Sequence, residues 1–137
     1  MIDLSWHDFL EIGVDFIDDD HKTLLNIMQK VKKSIENGNK EESIILLTSL
    51  LKEANNHFTR EEVYLLEVGY PGLEKHKIYH KGLLIKVNEI KQMCESIKIE
   101  HDVKACFDNM ANFLIDDILR GDIQFKSYLE YEGYLSK

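Results

Sequence analysis

The residues able to do chemistry are six histidines and a subset of the carboxylates, and two of their spacings stand out. His57 and Glu61 are four residues apart, and so are His76 and His80. On a helix that spacing stacks two side chains one turn apart, so each pair presents two donor atoms to one point. Imidazole and carboxylate donors without thiolate suit iron or manganese, and zinc less well. His21, Asp117 and Asp122 extend the candidate set to seven residues, more than a closed tetrahedral site uses, which favours two metals over one. A carboxylate has two oxygens and can span a metal pair, a role that suits Glu61 and Asp122.

The helices that must position these groups follow from the apolar periodicity. Apolar residues recur at intervals of three and four, and nothing alternates as a strand would. Breaks fall at Gly38-Asn39, at Gly69-Tyr70-Pro71-Gly72, around Ser96 to Glu100 and at Gly121. They predict an extended arm over 1–17, helices near 18–37, 41–67, 72–95 and 101–118, and a short helix after Asp122. Short links between long helices favour antiparallel neighbours. The expected fold is therefore all-α: one domain over 1–137, an antiparallel up-down-up-down four-helix bundle with an N-terminal arm and a short C-terminal helix.

Each apolar stripe carries polar intruders. Leu24, Leu25, Met28, Val31 and Ile35 form the first face, and three positions before Leu24 stands His21. Leu47, Leu50, Ala54, Phe58 and Leu65 form the second, with His57 and Glu61 in line. Leu73, Leu83, Leu84, Val87 and Cys94 form the third, with His76 and His80. The fourth, through Val103, Cys106, Met110, Phe113 and Leu114, reaches Asp117 at its next inward position, with Asp122 beyond. A single buried histidine is ordinarily a satisfied core residue. A cluster of inward acids and imidazoles with few basic partners instead calls for cations from elsewhere, because an unpaired buried charge costs several kcal/mol.

Composition narrows the function classes. The 137 residues carry 25 acidic and 17 basic side chains, a formal charge of -8. The scattered basic residues argue against nucleic acid or anionic membrane as partners. No stretch approaches a membrane span and no basic-then-apolar leader is seen, so a cytoplasmic protein is expected. Cys94 and Cys106 lie on apolar stripes and are expected to be reduced core thiols. Asp18, Asp19 and Asp20 read as caps of the first helix. Tyr64, Tyr70 and Tyr79 read as packing residues, and Glu62 as surface charge or an outer partner of a ligand.

These motifs together resemble the hemerythrin family from Trp6 to about Leu129. The run from Gly13 to His21 looks like the entry to the family's first ligand helix. His57-Phe58-Thr59-Arg60-Glu61-Glu62 resembles its HFxxEE motif, and Gly69-Tyr70-Pro71 its following turn. His76 to His80 matches HxxxH, and Phe113, Leu114, Ile118 and Asp122 match the flanks of WLxxHIxxxD. The resemblance implies two non-heme irons bridged by Glu61 and Asp122. His21 and His57 would serve the iron open to dioxygen, and His76 and His80 the filled one. Dioxygen would be the ligand, taken up by two-electron transfer in a dry pocket lined by Phe58, Leu24, Phe113, Leu114 and Ile118. An oxygen-binding protein and not an enzyme is the leading expectation. A di-iron oxidase or peroxidase, or an oxygen or redox sensor, is the alternative.

One position departs from the pattern. Asp117 stands where the family has its fifth histidine, and Phe113 where it has a tryptophan. His101 lies too far along the same helix to substitute, about 24 Å away at ~1.5 Å per residue, while His7 in the arm stays open. Aspartate is shorter than histidine, so Asp117 ligates directly only if the helix shifts inward; otherwise a water intervenes, and direct ligation is the favoured reading. A third carboxylate also lowers the net positive charge of the metal pair, which favours the oxidised state.

Overall fold

In the computed structural model, residues 10–96, 100–116 and 122–135 are described. The described residues form five helices: α1 Asp15–Glu36, α2 Lys40–Glu67, α3 Leu73–Glu95, α4 Glu100–Asp116 and α5 Ile123–Tyr131. No strand occurs among the described residues. The first four form an up-down-up-down bundle in which α1 packs on α2 and α4, and α3 packs on α2 and α4. The short C-terminal helix is α5.

The turns follow from local chemistry. Gly38 has φ +68° and ends α1, donating to Ile35 O at 3.0 Å while Asn39 donates to Ser34 O at 2.9 Å. Asn39 then caps α2, accepting from Glu42 N at 3.1 Å. Beneath this turn the buried hydroxyls of Ser34 and Ser43 meet at 2.8 Å, tying α1 to α2.

Among the described residues the buried apolar side chains form two clusters. The larger fills the long part of the bundle with Leu24, Leu25, Met28, Leu47, Leu50, Phe58, Leu83, Val87, Met110 and Leu114 among its members. The smaller joins Ile12 and Ile17 to Leu65, Leu73, Phe125 and Leu129. Along α1 the order is Ile17, His21, Leu24; along α2 it is Phe58, Glu61, Leu65; along α3 it is Leu73, His76, His80, Leu83. Three helices thus place their polar intruders in one layer between the two clusters. Leu84, expected inside, is only half-buried, and the side chains of Val103, Cys106 and Phe113 lie outside the described residues.

The start of α1 differs from expectation. The helix begins at Asp15, three residues before the aspartate triplet, and Val14 occupies its cap position without a side-chain hydrogen bond. Asp18 is buried in the first turn, and its carboxylate accepts from Ile12 N at 2.8 Å and Gly13 N at 3.0 Å. It satisfies the incoming segment instead of the helix's own amides. Leu10 and Ile12 are buried, so this part of the arm packs against the bundle. Asp20 is also no cap, as described below. Cys94 is a free, buried thiol, and burial pushes its pKa up, consistent with an inert core residue.

Replacing Asp18 with Ala leaves two backbone donors without their acceptor. Since hydrogen bonds to charged groups contribute about 1.5–3 kcal/mol each, the Asp18→Ala variant is expected to lose about 2–4 kcal/mol, measured by urea denaturation.

Candidate metal centre

Four imidazoles converge on one carboxylate. Glu61 is fully buried, with 0 % exposure. Its Oε2 lies 2.9 Å from His57 Nε2 and 3.8 Å from His21 Nε2, while its Oε1 lies 2.5 Å from His76 Nε2 and 3.3 Å from His80 Nε2. Asp122, at the foot of α5, repeats the division: Oδ2 is 2.9 Å from His21 Nε2 and Oδ1 is 2.9 Å from His76 Nε2. Each carboxylate therefore turns one oxygen toward the His21 side and the other toward the His76 side. The two resulting groups, His21-His57-Glu61 and Glu61-His76-His80, each bring their donor atoms within 4.8 Å of one another.

These atoms are close without being properly paired. His57 Nε2, Glu61 Oε2 and both oxygens of Asp122 are buried and make no aligned hydrogen bond. Buried polar atoms are almost always satisfied, so lone pairs that converge on a shared point and miss one another are what a cation-binding set looks like. The donor chemistry, four imidazoles with two carboxylates capable of bridging, fits a pair of first-row metal ions.

The outer ring nitrogens are held by acids. His57 Nδ1 donates to Asp20 Oδ2 at 2.9 Å, and Arg60 Nη2 donates to that same oxygen at 2.6 Å. His80 Nδ1 donates to Glu62 Oε2 at 2.8 Å. Such carboxylates fix the tautomer and ring orientation so that Nε2 faces the metal. Sequence reasoning allowed Glu62 this role but took Asp20 for a cap. The signal it lacked was the register of α1 against α2, which spacing within one helix does not carry.

Aromatic rings complete the walls. Phe58 stacks on His80, with ring centroids 3.9 Å apart and planes 8° apart, and is tilted against His57 at 5.6 Å. It therefore flanks both halves of the layer. Phe125 of α5, not singled out from the sequence, meets His76 edge-on at 5.4 Å. Tyr64 packs on Phe16, and Tyr70 on Phe125 and Tyr128, as packing residues do. Leu24 and Leu114 are buried in the larger cluster beside the layer. Asp117 and Ile118, and the side chain of Phe113, lie outside the described residues.

The electrostatics follow from this crowding. Burial alone would lower the pKa of His57, but Glu61, Asp20 and Asp122 outweigh it and hold the imidazole at about 9. His76 is likewise opposed by burial and raised to about 11 by Asp122 and Glu61. Burial would raise Glu61, yet His57, His76 and His80 bring it well below the usual carboxylate range. Without a metal, protons do the neutralising.

Known proteins share the sequence pattern and the fold. Residues 12–121 match the model of the Hemerythrin HHE cation binding domain. The chain belongs to the hemerythrin family. Among curated relatives, the bacteriohemerythrin of Clostridium acetobutylicum is 33% identical over 115 residues, covering 80% of this chain and 85% of that one. The bacteriohemerythrin of Campylobacter jejuni is 35% identical over 83 residues, or 59% of this chain and 62% of its own length. A crystal structure of a hemerythrin mutant superposes with a TM-score of 0.77 at 22% identity, covering 90% of this chain and 92% of that one, and shares the hemerythrin bundle fold. No helix among the described residues is long and apolar enough to cross a membrane.

A pH prediction follows for the protein without bound metal. The stability due to His57 and His76, whose folded pKa values are raised, is fully present below 6.5 and is lost as pH rises through about 9 and then about 11. That of Glu61, whose folded pKa is depressed, is present above 4.5 and is lost as pH falls through its lowered value. The urea midpoint of metal-free protein is expected to peak between about pH 4.5 and 6.5 and to decline steadily on the alkaline side.

Proposed function

We propose that this hemerythrin-family chain holds a pair of non-heme iron ions and binds dioxygen reversibly, as a store, carrier or buffer. The observation that carries the reading is the division of Glu61 and Asp122, one oxygen of each toward His21 and the other toward His76. A carboxylate set to serve one cation has no reason to split its oxygens between two imidazole groups.

In this reading His21 and His57 hold one ion, His76 and His80 the other, and Glu61 and Asp122 bridge them. A ferrous pair would supply the two electrons that dioxygen uptake requires. The chain supplies the rest. Asp20 and Glu62 hold His57 and His80 with Nε2 inward, and Phe58, Leu24 and Leu114 keep water from the layer. Asp117 and Ile118 are proposed to complete the set, with Asp117 adding a third carboxylate.

Iron-loaded protein is expected to contain two irons per chain, and air added to its reduced form should produce a visible charge-transfer band that bleaches on deoxygenation. Irreversible bleaching, or steady consumption of added peroxide, would instead favour a redox enzyme. Glu61→Gln removes a bridging carboxylate and is expected to bring the iron content below two per chain. Asp117→His restores a neutral donor and should slow autoxidation several-fold, read from the decay of the oxygenated spectrum; an unchanged rate would mean that Asp117 does not set the charge of the centre.

A further inference from the structure

The acids behind His57 and His80 are not equivalent. Both contacts are short, 2.9 Å to Asp20 and 2.8 Å to Glu62, and the two acids are similarly exposed, at 22 % and 24 %. Their own partners differ. Arg60 donates to Asp20 through Oδ2, the oxygen that also accepts from His57 Nδ1. Two donors on one oxygen compete for its electron density, and a guanidinium is the stronger because its charge is permanent. Glu62 pairs with no Arg or Lys among the described residues.

We propose that Asp20 is the positioning residue for His57 and that Arg60 tunes its strength, so that the two halves of the centre receive unequal support: an attenuated carboxylate behind His57 and an unattenuated one behind His80. This rests on the dinuclear reading given above. An imidazole whose N–H is drawn toward a strong carboxylate is the more basic ligand. The ion on the His21-His57 side is therefore held by the weaker donor set and is the one bound less tightly. Because Arg60 acts through Asp20, removing it matters only while the carboxylate is present. Arg60 is half-exposed, at 49 %, so its substitution leaves the apolar core untouched.

The test uses the full chain and cobalt(II), a redox-inert stand-in whose d–d absorption reports each occupied site. Wild type is expected to bind two ions with distinguishable affinities. Asp20→Asn, which keeps an acceptor but removes the charge, should weaken one ion by about 10–100-fold, and Glu62→Gln should weaken the other. Arg60→Gln should tighten the ion that Asp20→Asn weakens, by several-fold, without moving the thermal midpoint of the metal-free protein. The double variant Asp20→Asn/Arg60→Gln should match Asp20→Asn alone. A merely structural role would not yield that sign or that non-additivity. Two ions in wild type combined with weakening by Arg60→Gln, or with additive effects in the double variant, would overturn this proposal alone. Fewer than two ions in wild type would overturn the dinuclear reading, and indifference of any bound ion to Asp20 would overturn this one.

Discussion

The Glu61 carboxylate is the constraint around which the rest is arranged. It is fully buried, and among the described residues the groups within ion-pair distance of it are His21, His57, His76 and His80, drawn from α1, α2 and α3. Among the described residues no Arg or Lys approaches it or Asp122. A buried carboxylate left uncompensated costs several kcal/mol. Two kinds of positive charge can offset it here, protons on the imidazoles or metal ions between the rings. The raised pKa values of His57 and His76 and the depressed one of Glu61 describe the first arrangement; the convergent, unaligned lone pairs are suited to the second.

The position of this layer gives it leverage over the fold. Above it the larger apolar cluster runs up the bundle, and below it the smaller one gathers Ile12, Ile17, Leu65, Leu73, Phe125 and Leu129. The lower cluster depends on α5, and α5 begins directly after Asp122. Phe125, one turn on, rests its ring against His76. The incoming segment is fastened by Asp18 one turn before His21. Whatever charge occupies the layer therefore bears on the end cluster through Asp122 and His76, while the upper cluster is held by apolar burial among four helices.

Much of this was legible in the chain. The four-residue spacings His57/Glu61 and His76/His80 bring the members of each pair to one layer because both share one helix, whose geometry is known in advance. Leu24, Met28, Leu47, Leu50 and Val87 fall inside as the periodicity requires. What spacing could not carry was the relation between helices. Asp18 and Asp20 look like caps only if α1 begins at the triplet; it begins at Asp15 because Val14, Phe16 and Ile17 pack into the lower cluster. Asp20 finds its partners 37 and 40 residues away, a distance in sequence that no local pattern encodes. Phe58 is expected from the sequence as a wall of the dioxygen pocket; its stacking on His80 depends on how α2 is rotated against α3.

The outer acids show how register is enforced. Asp20 is the neighbour of His21 on α1 and supports His57 on α2; Glu62 is the neighbour of Glu61 on α2 and supports His80 on α3. α1 and α2 thus each set an inner-layer residue, His21 or Glu61, next to an acid that supports the following helix's histidine. A slip of one residue along α1 or α2 would turn the inner donor about 100° away, since 3.6 residues complete a turn, and would withdraw the support of the following ring at the same time. The same slip would carry Asn26, Gln29, Lys32 and Glu36 to the places of Leu25, Met28, Val31 and Ile35, so the apolar stripe of α1 resists it as well. The polar layer and the two apolar clusters on either side of it therefore enforce the same alignment of α1, α2 and α3, the layer by donor geometry and the clusters by burial.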